Sequence, residues 1–366
     1  MNDEGGTGEI DEIEEGADDV EETDDALTDE EDELGEPGPG TAFITGGSGF
    51  VGKALVRRLV ADGWRVRALA RSERAGATVA ALGAEPVGGD LDDLDAMRAG
   101  ADDCDLAFHA AAAVLEWGPR ELFDRTNVIG TQNALRACEE AGVVRFVHVG
   151  TEAALMGGKP LVNVNEDAPL RPDSKAHYCA TKALAEQAVV AASNPEFETV
   201  VVRPRFVWGP GDATMPAFIE AVERGRFRWI SEGDHLTSTT HVDNAVEGLI
   251  LAAEHGRPGR AYFVTDGDPV VFREFIIGLL ATQGVVPPDS SIPAPAARIG
   301  AAAAELAWRM LGRDGTPPMT RIAYWLTGQE TTIDITRARR ELSYEPVRTI
   351  ADGLAELRKA VELRAE

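Results

Sequence analysis

The sequence predicts an α/β fold: a doubly wound parallel sheet covered by helices on both faces, with a smaller C-terminal lobe. Three observations predict it. From residue 41, short apolar runs alternate with helical ones, the signature of strand-helix-strand units. A glycine-rich turn lies between the first strand-like run and the first helix. After about residue 205 the alternation loosens into loops such as WGPGDATMP, before a helix-like and a strand-like stretch return.

Taken in order, TAFITG reads as a strand and Lys53 to Asp62 has helical spacing. RVRALA is a second strand, with ATVAALG after it. EPVGGDL ends in a third strand, followed by a helix near LDAMRAG. CDLAFHAAA carries the fourth, and TNVIGTQNALRACEEAG is a strong helix. RFVHVGT and TVVVRPRFV are further strands, and HVDNAVEGLILAAE (helix) and RAYFVTDG (strand) rejoin the core. The expected division is a core over 41–207, part of the lobe over 208–237, a return to the core over 238–267, lobe again over 268–345, and a C-terminal helix over 346–366. Residues 1–40 form the remaining piece, an acidic tail.

That tail holds 19 Asp and Glu and no Lys or Arg. With almost no large apolar residues it cannot offset its ordering entropy and is expected to be disordered. The formal charge of −28 is therefore misleading, because the rest of the chain has 44 acids against 35 bases, a net of −9. No basic stripe is present, so nucleic acid is not an expected partner. Cys104, Cys138 and Cys179 are odd in number and lack C-x-x-C spacing, which argues against a disulfide framework and fits a reducing cytoplasm. The histidines, among them His109, His148, His177 and His241, show no ligand spacing, so no metal is expected. The longest apolar candidate, IPAPAARIGAAAAELAWRMLG, is broken by prolines, arginines and a glutamate. It excludes a spanning helix and leaves peripheral contact with a membrane open.

In TAFITGGSGFVGKALVRRLVADG, Gly46, Gly49 and Gly52 follow a strand and open a helix. The first permits a tight turn, the second lets backbone approach a pyrophosphate, and the third lets helix and strand pack closely. The helix N-terminus then offers free N–H groups and its positive dipole end to phosphate. A dinucleotide is the predicted ligand. An acidic residue closing the second strand would bond a ribose 2′-OH, but ALARSERAG stands there. Arg71, with Ser72 and Arg74, can fork onto a 2′-phosphate, which favours NADP over NAD; an arginine merely exposed in a loop is the alternative. Asp90 and Leu91 sit where the third strand ends, a natural place to meet adenine, although Asp90 equally suits a helix cap.

AHYCATKALAEQ places Tyr178 and Lys182 four apart on one helix face. A free phenol is a poor base at neutral pH, and a neighbouring ammonium would favour the phenolate. Thr151, at the end of RFVHVGT, can donate to an oxygen on which negative charge develops. It can equally satisfy local backbone, and Glu152 competes for the role.

In their order and spacing, TGGSGFVG, FHAAA, NVIGTQNAL, FVHVGT, YCATK and VVRPRFVWGPGD resemble the extended short-chain dehydrogenase/reductase superfamily over residues 41–345. The resemblance implies a Rossmann core with a C-terminal substrate-binding lobe. It implies a catalytic set of Thr151, Tyr178 and Lys182, and a cofactor set of Gly46, Gly49, Phe50, Val51, Gly52, Arg71, Asp90, Leu91, Ala110, Tyr178 and Lys182. Asn127 matches an asparagine common in the family, with a structural role as the alternative. Gly150 departs from the family's pair of small hydroxyl residues, which leaves Thr151 the least secure of the three.

Sugar-nucleotide members carry an asparagine and an arginine for the diphosphate where this chain has Arg205 with Phe206, and Thr237. Together with Asn244, HVDNAVEGLILAAE is similar to the 3β-hydroxysteroid and 4-carboxysterol dehydrogenase branch. The expected activity is NAD(P)-dependent interconversion of a secondary alcohol and a ketone on a hydrophobic, sterol-like small molecule. Phe206, Trp208, Met215, Phe218, Trp229 and the later IAYWL can line its pocket, or be plain core. A nucleotide-sugar epimerase or dehydratase is the alternative enzyme; a dinucleotide-binding scaffold without catalysis is the alternative outside enzymes. The helices at NVIGTQNAL and YCATKALAEQAVVAA offer a homodimer seam, or can be covered within the monomer.

Overall fold

The computed structural model describes residues 39–212 and 214–365, so the acidic stretch expected to be disordered lies outside the described residues apart from its last two. β1 (Thr41–Thr45) leads through α1 (Phe50–Ala61) to β2 (Arg65–Ala70), α2 (Glu73–Ala80), β3 (Glu85–Gly88), α3 (Leu94–Ala101) and β4 (Leu106–His109). Next come α4 (Arg120–Phe123), a π-helical segment Asp124–Ile129, α5 (Gly130–Glu140) and β5 (Arg145–Val149). A 3-10 turn Glu152–Leu155, β6 (Leu161–Val164), α6 (His177–Ala191) and β7 (Glu198–Pro204) follow.

The remainder runs β8 (Val207–Trp208), α7 (Thr214–Glu223), β9 (Trp229–Ile230), β10 (Leu236–Thr237), β11 (Thr240–His241), α8 (Val242–His255), β12 (Arg260–Val264), β13 (Val270–Val271) and α9 (Phe272–Ala281). It closes with β14 (Ser291–Ile292), α10 (Ala294–Leu311), α11 (Arg321–Thr327), β15 (Thr331–Ile333), α12 (Thr336–Leu342) and α13 (Ile350–Ala365).

Seven strands form one sheet in the order β12-β7-β5-β4-β1-β2-β3, and every pairing in it is parallel. Parallel strands need crossovers, and the crossovers put helices on both faces. On one face Leu55, Val56 and Leu59 of α1 pack with Val246, Leu249 and Ile250 of α8. On the other, Met97 of α3 and Leu135 and Cys138 of α5 pack with Phe146 and Phe197. The chain reverses direction across the sheet between β1 and β4. In sheets of this topology the ligand crevice lies at the carboxyl ends of those strands.

The lobe is assembled from scattered pieces: a four-stranded sheet β13-β10-β15-β6, the β9–β14 pair, and α10 with α11. The elements depart from the expected bounds in two places. β6, inside the stretch assigned to the core, pairs with β15. Ile335, Ala338, Leu342 and Tyr344, assigned to the lobe, are buried in the core cluster under α8. Both reflect pairings between segments far apart in sequence, which periodicity does not report. α10 turns Ala297 and Ala301 inward and leaves Ile299, Leu306, Met310 and Leu311 exposed. Among the described residues, no helix is long and apolar enough to cross a membrane.

Candidate active site

The floor of the crevice is backbone. Gly46 takes φ +75°, and a Cβ there would stand 2.5 Å from the Ala111 amide nitrogen. A Cβ on Gly52 would collide with the Gly46 carbonyl oxygen, so only glycine lets the start of α1 lie against the β1 turn. Gly49 caps α1 without a side-chain bond, its N–H donating to the Gly46 carbonyl at 2.9 Å. The amides of the first turn, those of Phe50, Val51 and Gly52, have no helical acceptor and are free for an anion. This cradle fits a dinucleotide pyrophosphate.

Along the rim, Arg71 is exposed at the end of β2, and Ser72 caps α2 by accepting from the Ala75 amide. Asp90 accepts from the Leu91 amide at 2.8 Å but does not cap α3; Asp93 does, accepting from Ala96. Leu91 is buried in the core beside Gly130, its carbonyl accepting from Asn133 at 2.9 Å. Ala110 follows β4 and donates its amide to Thr45.

Tyr178 lies in the first turn of α6 and Lys182 one turn on, with α6 packed against the 3-10 turn that follows Thr151. The Thr151 hydroxyl donates to Glu152 Oε2 at 2.7 Å and accepts from the Ala153 amide at 3.2 Å. Local capping, the competing role for this threonine, is thus also present. Burial drives the Tyr178 phenol well above its ordinary value, the Glu152 charge adding to the rise and the Thr151 hydroxyl opposing it. Lys182 Nζ donates to the Val149 carbonyl at 2.7 Å and to His148 Nε2 at 3.1 Å. Burial lowers the ammonium to about 8 against the charge of Glu186. The expected stabilisation of the phenolate by Lys182 is a point of correction: burial instead raises the phenol, and the lysine's hydrogen bonds run to β5 rather than to Tyr178.

Asn127 lies in the π-helical segment, which the sequence reading took for continuous helix. Its Oδ1 accepts from the Ala113 amide at 2.7 Å and its Nδ2 donates to Thr181 Oγ1 at 3.1 Å. The wide turn thus lets one buried amide tie the loop after β4 to α6.

Two groups escaped the sequence reading as partners. Arg205, fully buried, places Nη1 3.2 Å from Glu152 Oε1 and donates to the Leu326 carbonyl and to Thr237 Oγ1. It joins the threonine turn to α11. His109 and His148 are register partners on β4 and β5 and stack at 5.3 Å. The signal for this pair was a histidine near the end of two successive core strands.

The aromatic residues divide. Phe206, Trp208, Met215, Phe218 and Trp229 pack with Phe272 and Phe275 in a separate cluster. Trp208 and Trp229 are inaccessible, their indoles bonded to Asp266 and the Pro288 carbonyl. The core alternative describes these two. By contrast, Ile322, Tyr324, Trp325 and Leu326 share a cluster with Tyr178 and with Ile230, Ile292 and Ala297. His241, Asp243 and Glu356 lie close together, but His241 Nδ1 accepts from the Asp243 amide. That fixes the ring proton on Nε2, facing Glu356, and leaves no lone pair there for a metal.

The model of the 3-beta hydroxysteroid dehydrogenase/isomerase family matches residues 43–294, and the chain belongs to that family. It is 47% identical to a 4-hydroxy-2-methyl-3-oxo-4-farnesyl-3,4-dihydroquinoline-1-oxide ketoreductase of Stigmatella aurantiaca, over 87% of this chain and 96% of that one. It is 36% identical to a 2-alkyl-3-oxoalkanoate reductase of Stenotrophomonas maltophilia, over 86% and 98%. A dTDP-glucose 4,6-dehydratase of Streptomyces venezuelae, solved with NAD and TYD bound, superimposes with a TM-score of 0.70 at 25% identity, over 89% and 98%. The protein is an enzyme acting between hydroxyl and keto groups.

Proposed function

We propose that this protein reduces an apolar ketone flanked by a substituted carbon, using a nicotinamide dinucleotide held in the crevice. The observation that carries the reading is the position of Tyr178. Its ring borders the apolar cluster of Ile322, Tyr324 and Trp325, and the helix that carries it packs on the 3-10 turn that follows Thr151. A phenol is protonated at neutral pH and can donate that proton to a developing alkoxide. The two ketoreductase relatives support the same direction.

NAD(P)H supplies the hydride when bound. Gly46, Gly49, Phe50, Val51 and Gly52 cradle its pyrophosphate, and Asp90, Leu91 and Ala110 line the rim. Arg71, with no acidic residue closing β2, supports NADPH over NADH. Tyr178 gives its proton to the carbonyl oxygen, Thr151 steadies that oxygen, and Lys182 contacts the nicotinamide ribose. The division into a core and a lobe over the crevice assigns the dinucleotide to the first and the ketone to the second. Free, buried Cys104, Cys138 and Cys179 support a reducing, cytoplasmic setting. The exposed Ile299, Leu306 and Met310 of α10 support peripheral contact with the apolar phase such a substrate would leave.

The dehydratase likeness keeps a nucleotide-sugar reading in view, but Arg205 and Thr237 are bonded to each other and buried where diphosphate ligands would be needed. The test is titration with NADH and NADPH, then a screen of 2-alkyl-3-oxo acids, quinolone ketones, 3-oxosterols and nucleotide sugars. Net loss of reduced-nicotinamide absorbance with the apolar ketones is expected. Turnover of nucleotide sugars without net absorbance change would replace this reading with the epimerase one.

A further inference from the structure

Lys182 reaches the carboxyl end of β5 carrying three protons and no lone pair. One goes to the Val149 carbonyl at 2.7 Å and one to His148 Nε2 at 3.1 Å. The tetrahedral ammonium therefore has a single proton left, on the side away from the strand. The sheet topology places the ligand crevice beyond the strand ends, on that side.

Both histidines behind the lysine are neutral, and their tautomers follow from their partners. The single Thr131 proton goes to the Asn127 carbonyl at 2.7 Å, so Thr131 Oγ1 accepts from His109 Nε2 at 3.0 Å. His109 Nδ1 then accepts from Thr45 Oγ1 at 2.6 Å. His148 must offer its Nε2 lone pair to an ammonium, which puts its proton on Nδ1. That atom is buried and has no partner among the described residues. Packing alone gives no reason for a polar ring with an orphaned N–H, which a phenylalanine would avoid.

We propose that His148 is a positioning residue for Lys182: its Nε2, with the Val149 carbonyl, fixes the ammonium so that one proton faces the ligand in the crevice. The inference rests on the cofactor reading above. Stacking of His148 on His109, itself locked by Thr45 and Thr131, holds the acceptor in place. Burial and then the Lys182 charge keep both rings from protonating, His148 well below its ordinary value and His109 down to about 3. About α6, Glu186 pairs with Arg203 of β7 and Glu152 with Arg205, burial pushes the Cys179 thiol up, and His177 lies against the Gly118 carbonyl. Tyr178 is protonated. Loss of cofactor affinity on the alkaline side therefore reports Lys182.

The experiment is fluorescence titration of NADPH against the full chain, from below to above the lysine's titration near 8. Wild-type affinity is expected to fall as pH rises through that value. His148→Phe removes a hydrogen bond to a charged donor and should weaken binding roughly tenfold at neutral pH. It should also move the fall to lower pH, because the unsupported ammonium loses its proton sooner. His148→Gln, whose amide oxygen accepts, should recover both. His148→Met removes the acceptor with a flexible chain and keeps the comparison if the phenylalanine variant does not fold. A folded Phe or Met variant with wild-type affinity and pH profile overturns the proposal, as does a folded Gln variant no better than they are. Lys182→Met should bind weakly with a flat profile. If it binds as wild type does, the cofactor reading of Lys182 fails instead.

Discussion

In the strand-end crevice the deciding atoms belong to backbone: the Gly46 turn, the uncapped amides of α1, the ends of β1 to β4. Around Tyr324 and Trp325 they are side chains, delivered by the 3-10 turn, α6, β9, β14, α10 and α11. A backbone cradle tolerates almost no added atom, since a Cβ must fit within a few tenths of an ångström. A side-chain cluster can trade one apolar group for another of like volume at modest cost. The first region thus suits an invariant ligand moiety such as a pyrophosphate, and the second a ligand whose shape differs between enzymes.

Tyr178 borders the side-chain region and is the proposed proton donor, so its removal should have the largest effect. Tyr178→Phe keeps the ring in the apolar cluster and deletes the proposed proton donor. Turnover should fall by about a hundred- to ten-thousandfold, with NADPH affinity and melting temperature close to wild type. Comparable turnover would deny the phenol its role. Gly46→Ala tests the cradle. The methyl must enter the Ala110–Ala111 backbone at a positive φ, so NADPH and NADH affinity should both drop about ten- to a hundredfold. An unchanged Kd would mean the turn is not a ligand cradle.

The side-chain region gives a paired prediction. Trp325→Ala should raise KM for an apolar ketone about tenfold, through lost contact area. Trp229→Ala, in the separate aromatic cluster, should cost about 3–5 kcal/mol of stability and leave KM unchanged. If the two variants exchange these phenotypes, as read by ketone kinetics and denaturant melts, the clusters have been assigned the wrong way round.

The same contrast explains what could be read without coordinates. RVRALA is β2 residue for residue, and the glycine turn was legible because strand, turn and helix are contiguous. Local chemistry misled only at close range, where Asp93 rather than Asp90 caps α3. Neither the π-helical segment at Asn127 nor the pairing of β6 with β15 was legible. The first is stabilised by bonds to Ala113 and Thr181, the second by strands from opposite ends of the lobe. Lys182 shows the limit within the proposed catalytic set: spacing placed it one turn from Tyr178, but its bonds to Val149 and His148 depend on where β5 ends against α6.

The smallest effect should come from the rim, where Arg71 acts from solvent. A guanidinium there can fork onto a 2′-phosphate, but water screens the pair and competes for both partners. Arg71→Ala should therefore weaken NADPH about fivefold and leave NADH unchanged, and added salt should narrow the gap for the wild type. Direct competition between the two cofactors for the same protein reads this cleanly. Equal weakening of both would make Arg71 a general phosphate contact, and no change in either would return it to the exposed loop residue that its position also allows.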